Sequence, residues 1–197
     1  MLLYNSQVSG NCYKVRLLFA HLGMQYERRE VDVIDRSRRR ELLGDLNPAL
    51  RVPTLVLDDG RALAESNAIL CYFAEGTPYL PAERFERAQV LQWLFFEQYS
   101  HEPFIAVARF WRIAGIEPAP EELQGKLRTG HAALAALDEH LAERQFLVAE
   151  RYTIADIALY AYTHVAAEGG FELEPYCAVR AWLERVAASP GHVAITD

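Results

Sequence analysis

Apolar positions along the first third of the chain change their period several times within short distances. Met1–Tyr4 is a short apolar run, and Tyr26–Val33 is a second, with Val31, Val33 and Ile34 adding β-branched side chains. Both read as strands. Between them Val15, Leu18, Phe19 and Leu22 recur at three- and four-residue spacing, the stripe of an amphipathic helix, and Gly23 follows where such a helix stops. The charged run DRSRRRELLGD over 35–45 predicts a short exposed helix. VPTLVLDDGRALAES reads as a strand, a turn at Asp58-Asp59-Gly60 and another strand. From Ser66 to Ala74 the helical period returns through Ile69, Leu70 and Phe73. The predicted order is β-α-β-α-β-β-α, with crossover helices between parallel strands and a hairpin closing an α/β unit.

GTPYLP, residues 76–82 with the following alanine, concentrates glycine and proline and predicts a linker. Beyond it the pattern is helical almost throughout. Residues 83–113 predict one or two long helices through Val90, Trp93, Leu94 and Tyr99. Glu121–Ala142, Thr153–Ala166 and Glu174–Ala188 predict three more, the last with Pro175 in its first turn. The expected organisation is an α/β domain over 1–75, a linker over 76–82 and an all-helical domain over 83–197.

Charge and composition narrow the class. The 197 residues carry a formal charge of −7, so no basic field is available to hold nucleic acid. No uncharged apolar run reaches the ~18–20 residues of a membrane span, and MLLYNSQVSG lacks the basic start and apolar core of a signal peptide. Three cysteines, Cys12, Cys71 and Cys177, make no CxxC and no even framework. A cytoplasmic protein is expected. The six histidines form no metal-ligand pattern, so no metal is expected, and neither a P-loop nor a GxGxxG is present.

Four short segments carry candidate chemistry. Ser9-Gly10-Asn11-Cys12 lies where the first helix begins, so hydroxyl, amide and backbone N–H groups meet the positive end of a helix dipole and favour an anion such as a thiolate. Cys12 reads either as a reactive thiol in that field or as a packing residue. Val52-Pro53 precedes a strand, and both a cis bond and a trans proline on an edge strand satisfy the pattern. A cis bond would turn the backbone of Val52 outward, able to pair with an extended peptide. Glu65-Ser66 stands at a helix start, as an ordinary cap or as a holder of a carboxylate and an ammonium group. Arg51 reads as a solvated residue or as a partner for a second carboxylate. Arg36, Arg38, Arg39 and Arg40 are flanked by acids and read as a solvated helix face or a contact for a small anion. Thr153 and Asp156 have capping-box spacing, which makes Asp156 a folding residue.

Taken together, YNSQVSGNCYKVRLLFAHLG, NPALRVPTLVLDDGRALAESNAILCYFA and RYTIADIALYAY resemble a cytosolic glutathione S-transferase over nearly the whole chain. The resemblance implies a thioredoxin-like N-terminal domain plus an all-α C-terminal helical domain, in a homodimer. It implies a serine/asparagine-type member, with Ser9 ranked above Asn11 as the donor to the thiolate of glutathione. It assigns Val52 to the cysteinyl backbone, Pro53 to the cis-proline, Glu65 and Ser66 to the γ-glutamyl end and Arg51 to the glycyl carboxylate. Tyr4 stands too early for the tyrosine-type role, Gly10 replaces the cysteine of the cysteine-type class, and Leu50 fills a site polar in several serine-type members.

A second substrate is expected between the domains, with Tyr99, Phe104, Arg109 and Phe110 as wall candidates or helical core. Three functions compete. One is a transferase joining glutathione to small, mostly apolar electrophiles. A second is a glutathione-dependent disulfide-bond oxidoreductase. The third is a non-enzymatic glutathione-binding scaffold, against which the retained Arg51, Val52-Pro53 and Glu65-Ser66 set argues.

Overall fold

The strand β1 (Leu2–Asn5) lies inside a four-stranded sheet of order β2-β1-β3-β4, in a computed structural model that describes residues 1–197. β2 (Glu27–Glu30) pairs parallel with β1 in the register Leu2 to Glu27, which requires the crossover helix α1 (Gly10–His21). β3 (Thr54–Val56) runs antiparallel to β1 and to β4 (Ala62–Ala64), and the hairpin turns at Gly60 with φ 85°. β2 is shorter than the predicted 26–33 run because it is an edge strand. Its four residues are exposed and charged, which blocks further pairing, and the Val31 N–H makes one last bond to Asn5 O at 2.7 Å.

Alternation along the strands divides the core in two. Leu3 and Leu55 point to one face, where Val15 and Phe19 of α1 and Ile69 of α3 (Ser66–Ala74) cover them. Phe19 meets Tyr26 and Phe73 edge-on at 5.0 and 4.8 Å. Tyr4 faces the other side and packs with Val31 and with Leu43 of α2 (Arg39–Leu43). This is a thioredoxin-like unit, spanning Met1–Glu75 and rejoined by Pro190–Asp197.

That last segment corrects the expected 83–197 boundary. The chain returns because α1 offers donors on the side away from the sheet: Tyr13 Oη donates to Val193 O at 2.7 Å, and Arg16 donates to Ile195 O at 2.6 Å. Sheet on one side and returning chain on the other bury α1 from Cys12 to Phe19, far beyond the predicted stripe.

Gly76–Ser189 forms the second unit, built of helices. The predicted 83–113 helix is α4 (Arg84–Phe96), a π-helical turn (Glu97–His101) and α5 (Glu102–Ile113). Pro103 explains the interruption. It has no N–H to continue the ladder, and the Glu102 N–H reaches back five residues to Glu97 O. α6 (Pro120–Leu141) opens on a proline with Glu121 and Glu122 in its first turn, and Gly130 lets Phe171 pack where a Cβ would sit 2.4 Å from its ring. α7 (Ile154–Thr163) is buried at every position.

α8 begins at Cys177 and runs to Ala187, later than the predicted Glu174, and Pro175 lies outside it. Tyr176 is held in the preceding turn, its N–H bonded to Leu173 O and its hydroxyl beside His131 Nδ1 at 2.9 Å. Asp138 of α6 then accepts from the Val179 N–H, one of the free donors of the new helix. No helix is long and apolar enough to cross a membrane.

Candidate active site

α1 starts where β1 ends because Ser6–Ser9 closes a tight turn, with the Ser9 N–H on Ser6 O at 3.0 Å. Ser9 is the N-cap, extended at φ −80° and ψ 118°, and its Oγ accepts from the Cys12 N–H at 3.3 Å. A serine hydroxyl that accepts through one lone pair still has its proton to donate. Ser9 is half-buried, so a ligand can reach that proton. Cys12, by contrast, is fully buried and its Sγ accepts from the Ser6 N–H at 3.3 Å. Burial pushes the Cys12 thiol up to about 11, against the pull of the Ser6 and Ser9 hydrogen bonds and the Arg16 charge. The reactive-thiol alternative for Cys12 is therefore corrected to packing: desolvation of a thiolate outweighs the helix-start field.

Asn11 stands in the first turn of α1, and its Oδ1 accepts from Ser66 Oγ at 3.2 Å. Ser66 is the first residue of α3, so one side-chain bond ties the two helix N-termini together. Glu65, just before it, is exposed and holds φ 67°, a left-handed conformation that costs a non-glycine residue about 1–3 kcal/mol. The first N–H groups of α3 and the dipole behind them give this point a positive field.

Across the same unit the Val52–Pro53 peptide is cis. The loop before it is pinned by Asn47, a buried residue that donates to Arg51 O and to Thr54 Oγ1, both at 3.1 Å, while Thr54 Oγ1 donates to Arg51 O at 2.8 Å. Arg51 itself is exposed. Arg39 lies close enough for Arg36 and Arg51 to depress its basicity, after burial as the larger cause, and its guanidinium donates to Leu50 O and Val33 O at 3.4 and 3.0 Å. The arginine run thus contributes one half-buried member to the loop before Val52, with the others on the solvated face.

A family model of the glutathione S-transferase N-terminal domain matches residues 8–75, and one of the C-terminal domain matches residues 89–190. The chain belongs to the glutathione S-transferase family. A glutathione S-transferase structure from Pseudomonas fluorescens Pf-5 is 47% identical, with TM-score 0.93 and coverage of 100% of this chain and 98% of that one. Glutathione S-transferase 2 of Anopheles gambiae is 31% identical over 93% of this chain and 88% of its own length. The disulfide-bond oxidoreductase YfcG of Escherichia coli K12 is 28% identical over 91% of this chain and 87% of its own.

In this glutathione S-transferase chain the structure also places residues that the sequence reading passed over. Lys14 is wholly buried and its Nζ lies 3.4 Å from both Ser66 Oγ and Asn67 Oδ1, a cation behind the start of α3. Its signal was a charge inside an apolar stripe, one helical turn after Asn11. Asn47 gave only a turn signal. Tyr4 is buried in β1 with its hydroxyl accepting from Arg29 at 3.3 Å. In the helical unit Tyr99 and Phe104 share a groove of about 570 Å³ with Phe96, Thr129 and Ala133. Arg109 does not join them. It is buried and donates to Glu168 at 2.7 Å, and Phe110 is half-buried outside that lining.

Proposed function

We propose that this protein is a serine-type glutathione transferase in which Ser9 stabilises the thiolate of bound glutathione. The observation that carries the reading is the Ser66–Asn11 bond, which brings the N-terminus of α1, capped by Ser9, to the N-terminus of α3. One tripeptide then has a hydroxyl donor for its sulfur and a helix start for its γ-glutamyl carboxylate. Ser66 and the α3 N–H groups would take that carboxylate, Glu65 the ammonium group, Val52 the cysteinyl backbone, and Arg51 the glycyl carboxylate. Pro53 holds the chain turned beside Val52.

The energetics are of the right size. A free thiol titrates near ~8.5, and bringing it about two units lower requires roughly 2.7 kcal/mol of preference for the thiolate. A hydrogen bond to a charged sulfur supplies about 1.5–3 kcal/mol, and the α1 N–H groups and Asn11 add to it. The thiol proton leaves to solvent, the sulfur forms a bond to an electrophilic carbon, and the leaving group departs with its electron pair. Within the helical unit, Tyr99 and Phe104 give their groove an aromatic lining suited to an apolar molecule.

The similarity to a disulfide-bond oxidoreductase favours a second reading, disulfide reduction, and the burial of Cys12 restricts its form. With no reactive thiol in this loop, the thiolate of one glutathione would attack the disulfide sulfur and expel a thiolate, and a second glutathione would resolve the mixed disulfide. The similarity to YfcG supports it. Calorimetry with millimolar glutathione tests the shared site, and an absence of heat would end both readings and the glutathione-binding scaffold with them. Parallel rates with chlorodinitrobenzene and with a small mixed disulfide then separate transferase from reductase.

A cytoplasmic homodimer completes the proposal. Phe85, Leu91 and Phe95 on α4 are 68, 37 and 70% exposed, a set of large apolar side chains suited to a second copy. A single monomeric species in sedimentation at micromolar concentration would remove that part.

A further inference from the structure

The turn that presents Ser9 carries one apolar side chain, Val8, which is 39% exposed. It is held from beneath by Arg16, which is 2% exposed and two turns into α1. One guanidinium nitrogen donates to Asn5 Oδ1 at 2.8 Å and more weakly to Ser6 O at 3.5 Å, and the other donates to Gln7 O at 3.3 Å and Ile195 O at 2.6 Å. Glu30 closes the ring of contacts: its carboxylate accepts from the Asn5 side-chain amide and, at 3.1 Å, from the Gln7 N–H. Gln7 Nε2 also donates to Ile195 O at 2.8 Å, beside the bond from Tyr13 to Val193 O.

Three consecutive residues of the turn and the returning C-terminal segment therefore converge on one planar cation. A guanidinium suits this task because its N–H groups have fixed directions, whereas an ammonium group is a point charge. Burying such a cation is costly, and burial lowers the basicity of Arg16. An apolar residue would fill the same space under the turn without that cost, but it would take their guanidinium donor from Asn5 Oδ1 and Gln7 O and leave Ser6 O and Ile195 O with only the Ser9 N–H and Gln7 Nε2, so that the turn is free to shift.

We propose that Arg16 is a positioning residue for thiol activation, holding the Asn5 side chain and the Ser6–Gln7 backbone so that Ser9 meets the sulfur at a fixed angle, with Val193–Ile195 as the strap that keeps Arg16 in place. The inference rests on the reading of Ser9 as the thiolate donor. Arg16 acts through the turn, since at 2% exposure it offers no surface to a ligand. Its loss should therefore change the sulfur chemistry and leave glutathione affinity, which Arg51, Val52 and Ser66 supply, nearly intact.

Two variants test this: Arg16→Met in the full-length chain, which keeps the stem, and a stop after Val193, which removes Ile195 and spares every residue of α1. The pKa of the bound thiol, read from thiolate absorbance against pH, should rise by about one unit in Arg16→Met, with kcat near neutral pH down about tenfold. The dissociation constant for glutathione should stay within about threefold. Arg16→Lys should recover less than half of the loss, because one ammonium group cannot serve all four oxygens. The truncated chain should move the same way by a smaller amount. Amide exchange at Gln7, Val8 and Ser9, measured without glutathione, should be faster in both variants.

Unchanged exchange at the turn, or a thiol pKa equal to wild type in Arg16→Met, would overturn the proposal. So would a loss of affinity in proportion to kcat, which a merely structural role produces. A wild type that takes up no glutathione would overturn the underlying transferase reading as well, and so reports a different failure from wild-type binding with unaltered variants.

Discussion

Two helices in this protein start with a hydroxyl cap, and the caps are used differently. At α7 Thr153 is wholly buried, and its Oγ1 accepts from the Ala155 N–H and donates to Asp156 Oδ2, both at 3.2 Å. Asp156 accepts in addition from Thr153 N, Leu147 N and Trp182 Nε1 at 2.9, 3.1 and 3.0 Å. Every polar atom in that constellation is committed to the protein. At α1 the Ser9 hydroxyl is half-buried, accepts one long bond and retains its proton. The same local chemistry is therefore consumed by folding where it is sealed and saturated, and leaves a hydroxyl proton uncommitted where it is open and half-used.

The largest effect should come from the sealed cap. Asp156→Ala strands the Leu147, Thr153 and Trp182 donors in the core, at a cost of about 3–5 kcal/mol in denaturant unfolding. A loss under 1 kcal/mol would show that the network is not saturated as described. Its pH dependence adds a sign. Burial pushes the Asp156 carboxyl up to about 6, against the pull of its four donors, while the unfolded chain titrates near ~3.9. Between those values the unfolded state ionises first. The stabilising contribution is thus full below about pH 4 and is lost as pH rises through 6, by at most about 3 kcal/mol. The difference in Tm between wild type and Asp156→Asn should shift in favour of Asn from pH 4 to pH 7.

The open cap should give a smaller loss of stability and a larger change in chemistry. Ser9→Ala should cost about 1 kcal/mol as a lost cap. It should raise the pKa of the bound thiol by about one to two units and lower the rate at pH 7 by roughly 10- to 100-fold. If Asn11→Ala produces that shift and Ser9→Ala does not, the donor is Asn11. The smallest effect separates the thiols. Because the Cys12 thiol stays neutral up to about 11 in the folded chain, iodoacetamide at pH 8 should label exposed Cys177 and leave Cys12 intact by mass spectrometry. Equal labelling of both would mean that the start of α1 opens readily.

Much of this was legible along the chain, because it depends on neighbours in sequence. The order of the first seven elements, the Asp58-Asp59-Gly60 hairpin and the Thr153–Asp156 box follow from periodicity and turn chemistry, which act over a few residues. The segment motifs also sufficed for the family, since Ser9, Val52-Pro53 and Glu65-Ser66 occur in order at the right element boundaries. Misses fell where distant groups compete. Pro175 reads as a helix opener, yet the contact of Tyr176 with His131 moves the start of α8 to Cys177. Cys12 reads equally as nucleophile or filler until burial is known, because the dipole of a helix start is local and desolvation is not.

Amino-acid order alone settled which residues can accept, donate, turn or cap, since those are properties of single side chains and their near neighbours. Folding in three dimensions settled which of them meet: Lys14 and Asn11 with Ser66 over 52 and 55 positions, and Arg16 with Ile195 over 179. Contacts at such separations depend on how whole elements pack, and packing reflects the summed burial of many side chains rather than the preference of any one segment.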